Sequence, residues 1–203
     1  TMGAVGHGID LNPQRIAEAE QNAKDQGVSN RVIFLEGDLF EAVMSQASVV
    51  TMYLLSSVNL RLRPRLLKEL KPGTRIVSHG FSMGEWEPDQ QARIDNRSVY
   101  FWVIPARVEG TWNWTTQGES FSMNAGQEFQ KIHLELQNGS NTLAVRDPVL
   151  HGERICFTAR NSANGNHYVF NGRVEGNIIT GTAQIRNGES GTIVPWSATF
   201  TGR

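Results

Sequence analysis

One cysteine, Cys156, in 203 residues excludes an internal disulfide framework and fits a reducing compartment. It sits in the alternation Ile155-Cys156-Phe157, where a packed thiol is expected rather than a nucleophile. No apolar run approaches the roughly 20 residues of a membrane helix, so no membrane span is expected. Charge of one sign is missing too. Nineteen Lys and Arg against twenty Asp and Glu leave a net charge of −1, which offers no global field to nucleic acid. His79, His133, His151 and His167 are scattered without metal-ligand spacing, so no metal site is expected.

What is present begins at once. Val5 to Ile9 is a short apolar strand closed by Asp10; Asn12 then suits a helix N-cap and Pro13 the first helical position. Ile16, Ala19 and Ala23 form an apolar stripe, and Gly27 supplies the stop. Val32 to Leu35 is a continuous apolar run, expected to be buried on both faces of a parallel sheet, with Asp38 three residues beyond. Two acids after neighbouring parallel strands suit a nucleoside. The first can accept both ribose hydroxyls, and the second can lie beside the adenine edge. Either acid alone reads first as a helix cap, and only the ordered set of segments around them reverses that.

Further along, Ala47 to Leu55 reads as an apolar strand containing Tyr53. The stretch Leu60 to Lys71 reads as a helix opened by Pro64, with Leu66, Leu67 and Leu70 inward and its basic residues on a solvated face. Ser56, Ser57 and Asn59 are polar loop residues without an evident role. Thr74 to Phe81 and Ser98 to Pro105 read as further strands, separated by the acidic turn Gly84-Glu85-Trp86-Glu87-Pro88-Asp89.

The segments "GIDLNPQRIAEAEQNA", "RVIFLEGDLF", "ASVVTMYLL" and "LKPGTRIVSHGF" resemble, in order and spacing, the second to fifth strands of the Rossmann-like S-adenosylmethionine (SAM) methyltransferases. More narrowly, they are similar to bacterial relatives of the protein-lysine methyltransferases that modify an ATP-synthase subunit. The resemblance implies SAM as cofactor and a methyl acceptor that is a protein lysine or similar nucleophile. It implies Gly8, Asp10, Leu11, Gly37, Asp38 and Leu39 as cofactor-binding residues, and Tyr53 as the residue that shapes the pocket or places the amine. The "GxWxPD" stretch is expected at the substrate entrance. Such a domain opens with a first strand and a glycine-rich turn, and only Thr1 to Ala4 precede the strand matched to the second. The expectation is therefore an N-terminally truncated, inactive form that grips only the adenosine half of the cofactor. A cytoplasmic location is expected, with the missing start leaving a targeting signal open.

Beyond Ala106 helical periodicity disappears. Asn138-Gly139, Asn164-Gly165, Asn171-Gly172 and Asn187-Gly188 signal hairpins. Residues 150–159 and 174–183 share the form apolar-x-Gly-x-x-Ile-x-x-Thr-Ala, a strand, a turn and a second strand. Arg107 to Gly110 also recurs as Arg173 to Gly176. Trp114, Phe121, Phe129, Phe157, Phe170, Trp196 and Phe200 suffice to fill a small barrel. The expected fold class is α/β, an incomplete Rossmann-like sheet over 1–106, followed by an all-β antiparallel barrel or sandwich over 107–203. The expected function is SAM-dependent methyl transfer. A β-barrel binding module with a vestigial α/β half stands as the alternative. A dinucleotide oxidoreductase is disfavoured by Asp38, because acids after the third strand are a SAM-domain habit.

Overall fold

Asn12 and Pro13 start a helix for the reasons their chemistry gives. In the computed structural model, which describes residues 3–188 and 190–202, the Asn12 side chain accepts from Gln14 N at 2.9 Å. Helix α1 (Pro13–Asp25) follows, and Gly27 at φ +65° turns the chain away. It connects β1 (Gly6–Asp10) to β2 (Val32–Glu36), and the two strands pair in parallel from Gly6↔Val32 to Asp10↔Glu36. These elements belong to the first of two units, residues 1–45. Val32 and Phe34 are half-buried, whereas Ile33 and Leu35 on the opposite face are 51% and 50% exposed. The expectation of burial on both faces is thus corrected: β2 alternates, with one face bare among the described residues.

The second unit, residues 46–203, holds a mixed sheet and a barrel. Strand β3 (Val49–Met52) pairs in parallel with β4 (Arg75–His79) across helix α2 (Ser56–Glu69). β6 (Arg97–Val103) runs antiparallel to β4, and β5 (Gln90–Ile94) hairpins onto β6 through Asp95 and Asn96, both at positive φ. The sheet order is β3-β4-β6-β5. α2 begins eight residues before Pro64, which therefore lies inside the helix rather than at its start. Leu62 and Leu66 are its buried apolar side chains, Leu70 is buried just past its end, and Leu67 is only half-buried.

From Gly110 the chain is all-β. Strands β7 (Gly110–Thr116), β8 (Glu119–Glu128), β9 (Lys131–Asn138), β10 (Asn141–His151), β11 (Arg154–Arg160), β12 (His167–Glu175), β13 (Ile178–Asn187) and β14 (Ser190–Gly202) pair in sequence. β14 returns to β7, closing a barrel. No helix follows Ala106 among the described residues. The interior is filled by rings: Trp114 lies 5.2 Å from Phe121, 5.4 Å from Phe170 and 5.1 Å from Trp196. Phe129 is no filler, since it sits in the β8–β9 turn at φ +54°. Cys156 is likewise outside the core. Ile155, Phe157 and Ala159 take the inward positions of β11, which leaves the thiol half-buried on the outer face.

The internal echo is structural where it pairs 150–159 with 174–183. Gly152 and Gly176 occupy the first of two turn residues at φ +59° and +60°, the arrangement of a type II′ hairpin. Leu150 faces Ile155 and Val174 faces Ile179 across the two turns, all four buried. The shorter echo is not structural. Gly110 opens a strand whereas Gly176 makes a turn. Asn171-Gly172 is no turn either, lying in mid-strand within the register Ile155↔Gly172↔Gly181↔Trp196. A Cβ at Gly172 would come within 2.6 Å of Ile179 Cγ2 and 2.9 Å of Trp196, and one at Gly181 would collide with the Asn171 carbonyl. Gly172 thus leaves room for the Trp196 indole, which donates from Nε1 to Asn171 O at 3.0 Å, and Gly181 lets the Asn171–Gly172 backbone come close.

Gly181→Ala is therefore expected to cost about 2–3 kcal/mol by overpacking, whereas Gly126→Ala, with only the His133 carbonyl at 4.0 Å, is expected to stay within about 0.5 kcal/mol. Denaturant midpoints of the two variants check this, and equal midpoints would show that the strands shift to accommodate a methyl group.

A second expectation concerns Tyr168, whose buried ring and bond to Glu119 Oε2 at 2.7 Å raise its phenol pKa, burial being the larger cause. A raised folded value means the stabilisation is whole below the ordinary value of 10.0 and is lost as pH rises through the folded value. Stability should fall above that pH, and Tyr168→Phe should flatten the slope. A slope unchanged in Tyr168→Phe, measured by denaturant titration up to about pH 11, would assign it to other groups.

Candidate functional site

In the first unit, the parallel register brings the ends of β1 and β2 side by side, and Gly37 N donates to Asp10 O at 3.0 Å. Asp10 is exposed; its Oδ1 accepts from Asn12 N at 2.7 Å. Asp38 is exposed as well, and its Oδ1 accepts from Phe40 N at 2.9 Å. Each carboxylate thus spends one oxygen on its own turn, and no partner of Oδ2 is seen among the described residues. Leu11 is 68% exposed, and Leu39 is half-buried. Gly8 has a packing reason of its own, for a Cβ there would meet the Phe34 ring at 2.6 Å. Carboxylate acceptors at the carboxyl ends of two adjacent parallel strands have the chemistry that ribose hydroxyls and an adenine amino group require.

In the second unit the corresponding strand ends carry Tyr53 and His79. Met52 pairs with Ser78, so Tyr53 and His79 are the next neighbours, and their rings stack with centroids 4.9 Å apart and planes at 27°. Tyr53 is 82% exposed. Behind them Asn59, assigned by the sequence to a loop, lies in α2 with no exposed surface. Its Nδ2 donates to Ser78 Oγ at 3.1 Å, Phe81 O at 3.2 Å and Ser82 O at 3.4 Å. Ser78 Oγ donates to Phe81 O at 2.7 Å. The loop after β4 is thereby tied to the helix. A lone Asn one turn into a helix gives no sequence signal for this, because its partners lie about twenty residues away.

Arg63, read as part of a solvated face, instead donates from Nη1 to Met83 O at 2.8 Å and lies 5.3 Å over the Phe129 ring. Arg65 is paired with Glu69 at 2.7 Å and holds that carboxyl below its ordinary pKa. Trp86 does not line an entrance. It is fully buried between Trp102 and Phe129, each 5.9 Å away, and its Nε1 donates to Gln130 Oε1 at 2.9 Å. Asp89 Oδ2 accepts from Val103 N at 2.7 Å. The acidic turn is a clasp between sheet and barrel. Two open clefts of about 280 and 260 Å³ share Leu67, Pro105 and Arg107 in their walls. Among the described residues no group of three His, Cys, Asp or Glu could hold a metal ion, and no helix is long and apolar enough to cross a membrane.

Asn59→Leu would strand the Ser82 carbonyl and leave Phe81 O to Ser78 alone, at an expected cost of about 1–3 kcal/mol. Chemical denaturation checks it, and an unchanged midpoint would show that Ser78 alone holds the loop.

The family described as the ANTKMT methyltransferase domain matches residues 1–90. A protein-lysine N-methyltransferase of Saccharolobus islandicus (strain REY15A) is 45% identical over 101 residues, 48% of this chain and 63% of that one. The adenine nucleotide translocase lysine N-methyltransferase of Mus musculus is 32% identical over 81 residues, 40% of this chain and 35% of its own length. The chain thus spans between about a third and two thirds of these curated relatives. A crystal structure of an RNA methyltransferase from Salinibacter ruber with S-adenosyl-L-homocysteine is 50% identical, with a TM-score of 0.51. The alignment covers 53% of this chain and 71% of that one. The first half of the chain is therefore similar to SAM-dependent methyltransferases, and among them to the protein-lysine N-methyltransferases.

Proposed function

We propose that this chain serves methyl transfer from SAM to a lysine side chain of a protein. The reading rests on one observation above others: two adjacent parallel strands are each followed by an exposed carboxylate. We infer that β1–α1–β2 of the first unit and β3–α2–β4 of the second both belong to the methyltransferase portion of the chain. Residues 1–106 are then the methyltransferase domain and 107–203 an accessory barrel. Asp10 would accept from the ribose hydroxyls, with Gly8 and Leu11 bordering the sugar. Asp38 would accept from the adenine amino group, with Gly37 and Leu39 against the base. SAM supplies a methyl group already activated on a sulfonium, so the protein's share is alignment and exclusion of water. Tyr53, beyond β3 in the second unit, would help to shape the pocket or place the amine, as the resemblance implies.

The lysine reading draws on the curated relatives, which are named for lysine; the net charge of −1 gives RNA no field to follow. Calorimetric titration with S-adenosylhomocysteine tests the cofactor site. Asp10→Ala and Asp38→Ala are each expected to weaken binding by about 1–3 kcal/mol. Unchanged affinity would reduce both acids to the turns they already make. Label carried from SAM to RNA rather than to protein would overturn the acceptor.

A further inference from the structure

We propose that the outer face of the barrel, where Arg160, His167 and Arg186 stand in one row across β11, β12 and β13, is a docking surface for a short acidic segment of a partner protein. The proposal is independent of the methyl-transfer reading, which uses none of these residues. The row follows from the register: Arg160 pairs with His167, and His167 pairs with Arg186. Their neighbours Ala159, Tyr168 and Ile185 pack into the core, so the three side chains point outward, and all three are exposed. Strands about 4.8 Å apart place Arg160 and Arg186 about 10 Å from each other. Arg146 on β10 faces Thr158 and so stands diagonally beside Arg160. The Arg186 stem lies over Gly191, where a Cβ would meet its Cγ at 3.3 Å. Among the described residues none of the three guanidiniums has an ion-pair partner.

Like charges placed opposite each other in a sheet destabilise it, and here no contact among the described residues compensates. Arg173, further along β12, shows the contrast, for it is paired with Glu153 and Glu175. Acids gather elsewhere on the barrel. Glu128 and Glu135 are exposed on β8 and β9, and β8 lies four strands from β12 in the closed order. The outer surface is thus cationic on one side and acidic on the far one. Guanidiniums grip carboxylates through two parallel bonds, which suits arginine to such a surface. A single-stranded nucleic acid would also be attracted, but its bases need rings to stack on, and the next outward positions are Thr158, Val169 and Gln184. A bilayer needs a broad apolar face, whereas Ile193 is the one large apolar side chain exposed beside the row among the described residues.

The test is fluorescence anisotropy of labelled decaglutamate titrated with the full chain at low salt, with decauridylate and phosphatidylserine vesicles as comparators. Decaglutamate should bind saturably and lose affinity as salt is raised. Arg160→Gln and Arg186→Gln should each weaken binding about threefold, the scale of one exposed ion pair, and the double variant about tenfold. Arg173→Gln, whose cation is already paired, should stay within about 1.5-fold of the parent. Denaturant midpoints give a second measurement, since relief of like-charge opposition should leave Arg160→Gln at least as stable as the parent. No saturable binding of decaglutamate, an equal loss in Arg173→Gln, tighter binding of decauridylate or the vesicles, or a lowered midpoint in Arg160→Gln would each overturn the proposal. Self-association that the double variant abolishes would overturn it too, because the occupant would then be a second copy meeting the row with Glu128 and Glu135.

Discussion

An indole N–H taken out of water must find an acceptor, and the second unit is assembled around that requirement at Trp86. The ring is closed in by Trp102 and Phe129, and its one donor reaches Gln130, in the turn between β8 and β9. Gln130 in turn donates to Glu87 O at 2.8 Å, and Lys131 pairs with the Glu87 carboxylate. Phe129 keeps a positive φ that costs a non-glycine residue energy, and the stack on Trp86 beneath Arg63 offsets it. Sheet, helix and barrel are therefore joined through one side chain and its satisfied bond.

The join has a consequence for the segment that leaves β4. Met83 bridges to Trp86 and gives its carbonyl to Arg63, while Asn59 takes the carbonyls of Phe81 and Ser82. The segment leaving β4 is held at one end by the helix and at the other by the clasp on the barrel. Gln127 adds to the brace, accepting from Val108 N at 2.7 Å and donating to Ala106 O at 2.8 Å, so the link into β7 is fixed as well. The barrel contributes none of the proposed methyl-transfer residues, yet it bears on the rigidity of the loop that follows β4.

The barrel's own packing follows from its size. Eight strands leave an interior that side chains can fill, and rings fill it. A ring as large as Trp196 needs room, which Gly172 provides by having no side chain where the indole lies. A glycine inside a strand usually weakens it. Here its absence of a Cβ is what the neighbouring tryptophan packs into.

Where the determinants are local, the sequence by itself decided the outcome. The cap at Asn12, the stop at Gly27, the acid after each of β1 and β2, and the paired hairpins at Gly152 and Gly176 depend on neighbours a few residues away. The closed β half was legible from its alternation and turns, although the alternatives of barrel and sandwich were not separable without the β14–β7 pairing. Proximity across the chain was decided only by the tertiary structure. Gly172 reads as a turn until Trp196 is seen to need its space, and Trp86 reads as an entrance until Gln130 is found beneath it. Asn59, Arg63 and His79 carry no signal in their own surroundings, because their partners arrive from other elements. A side chain's chemistry is written at its own position, but what it is spent on depends on which distant atoms the fold brings within about 3 Å of it.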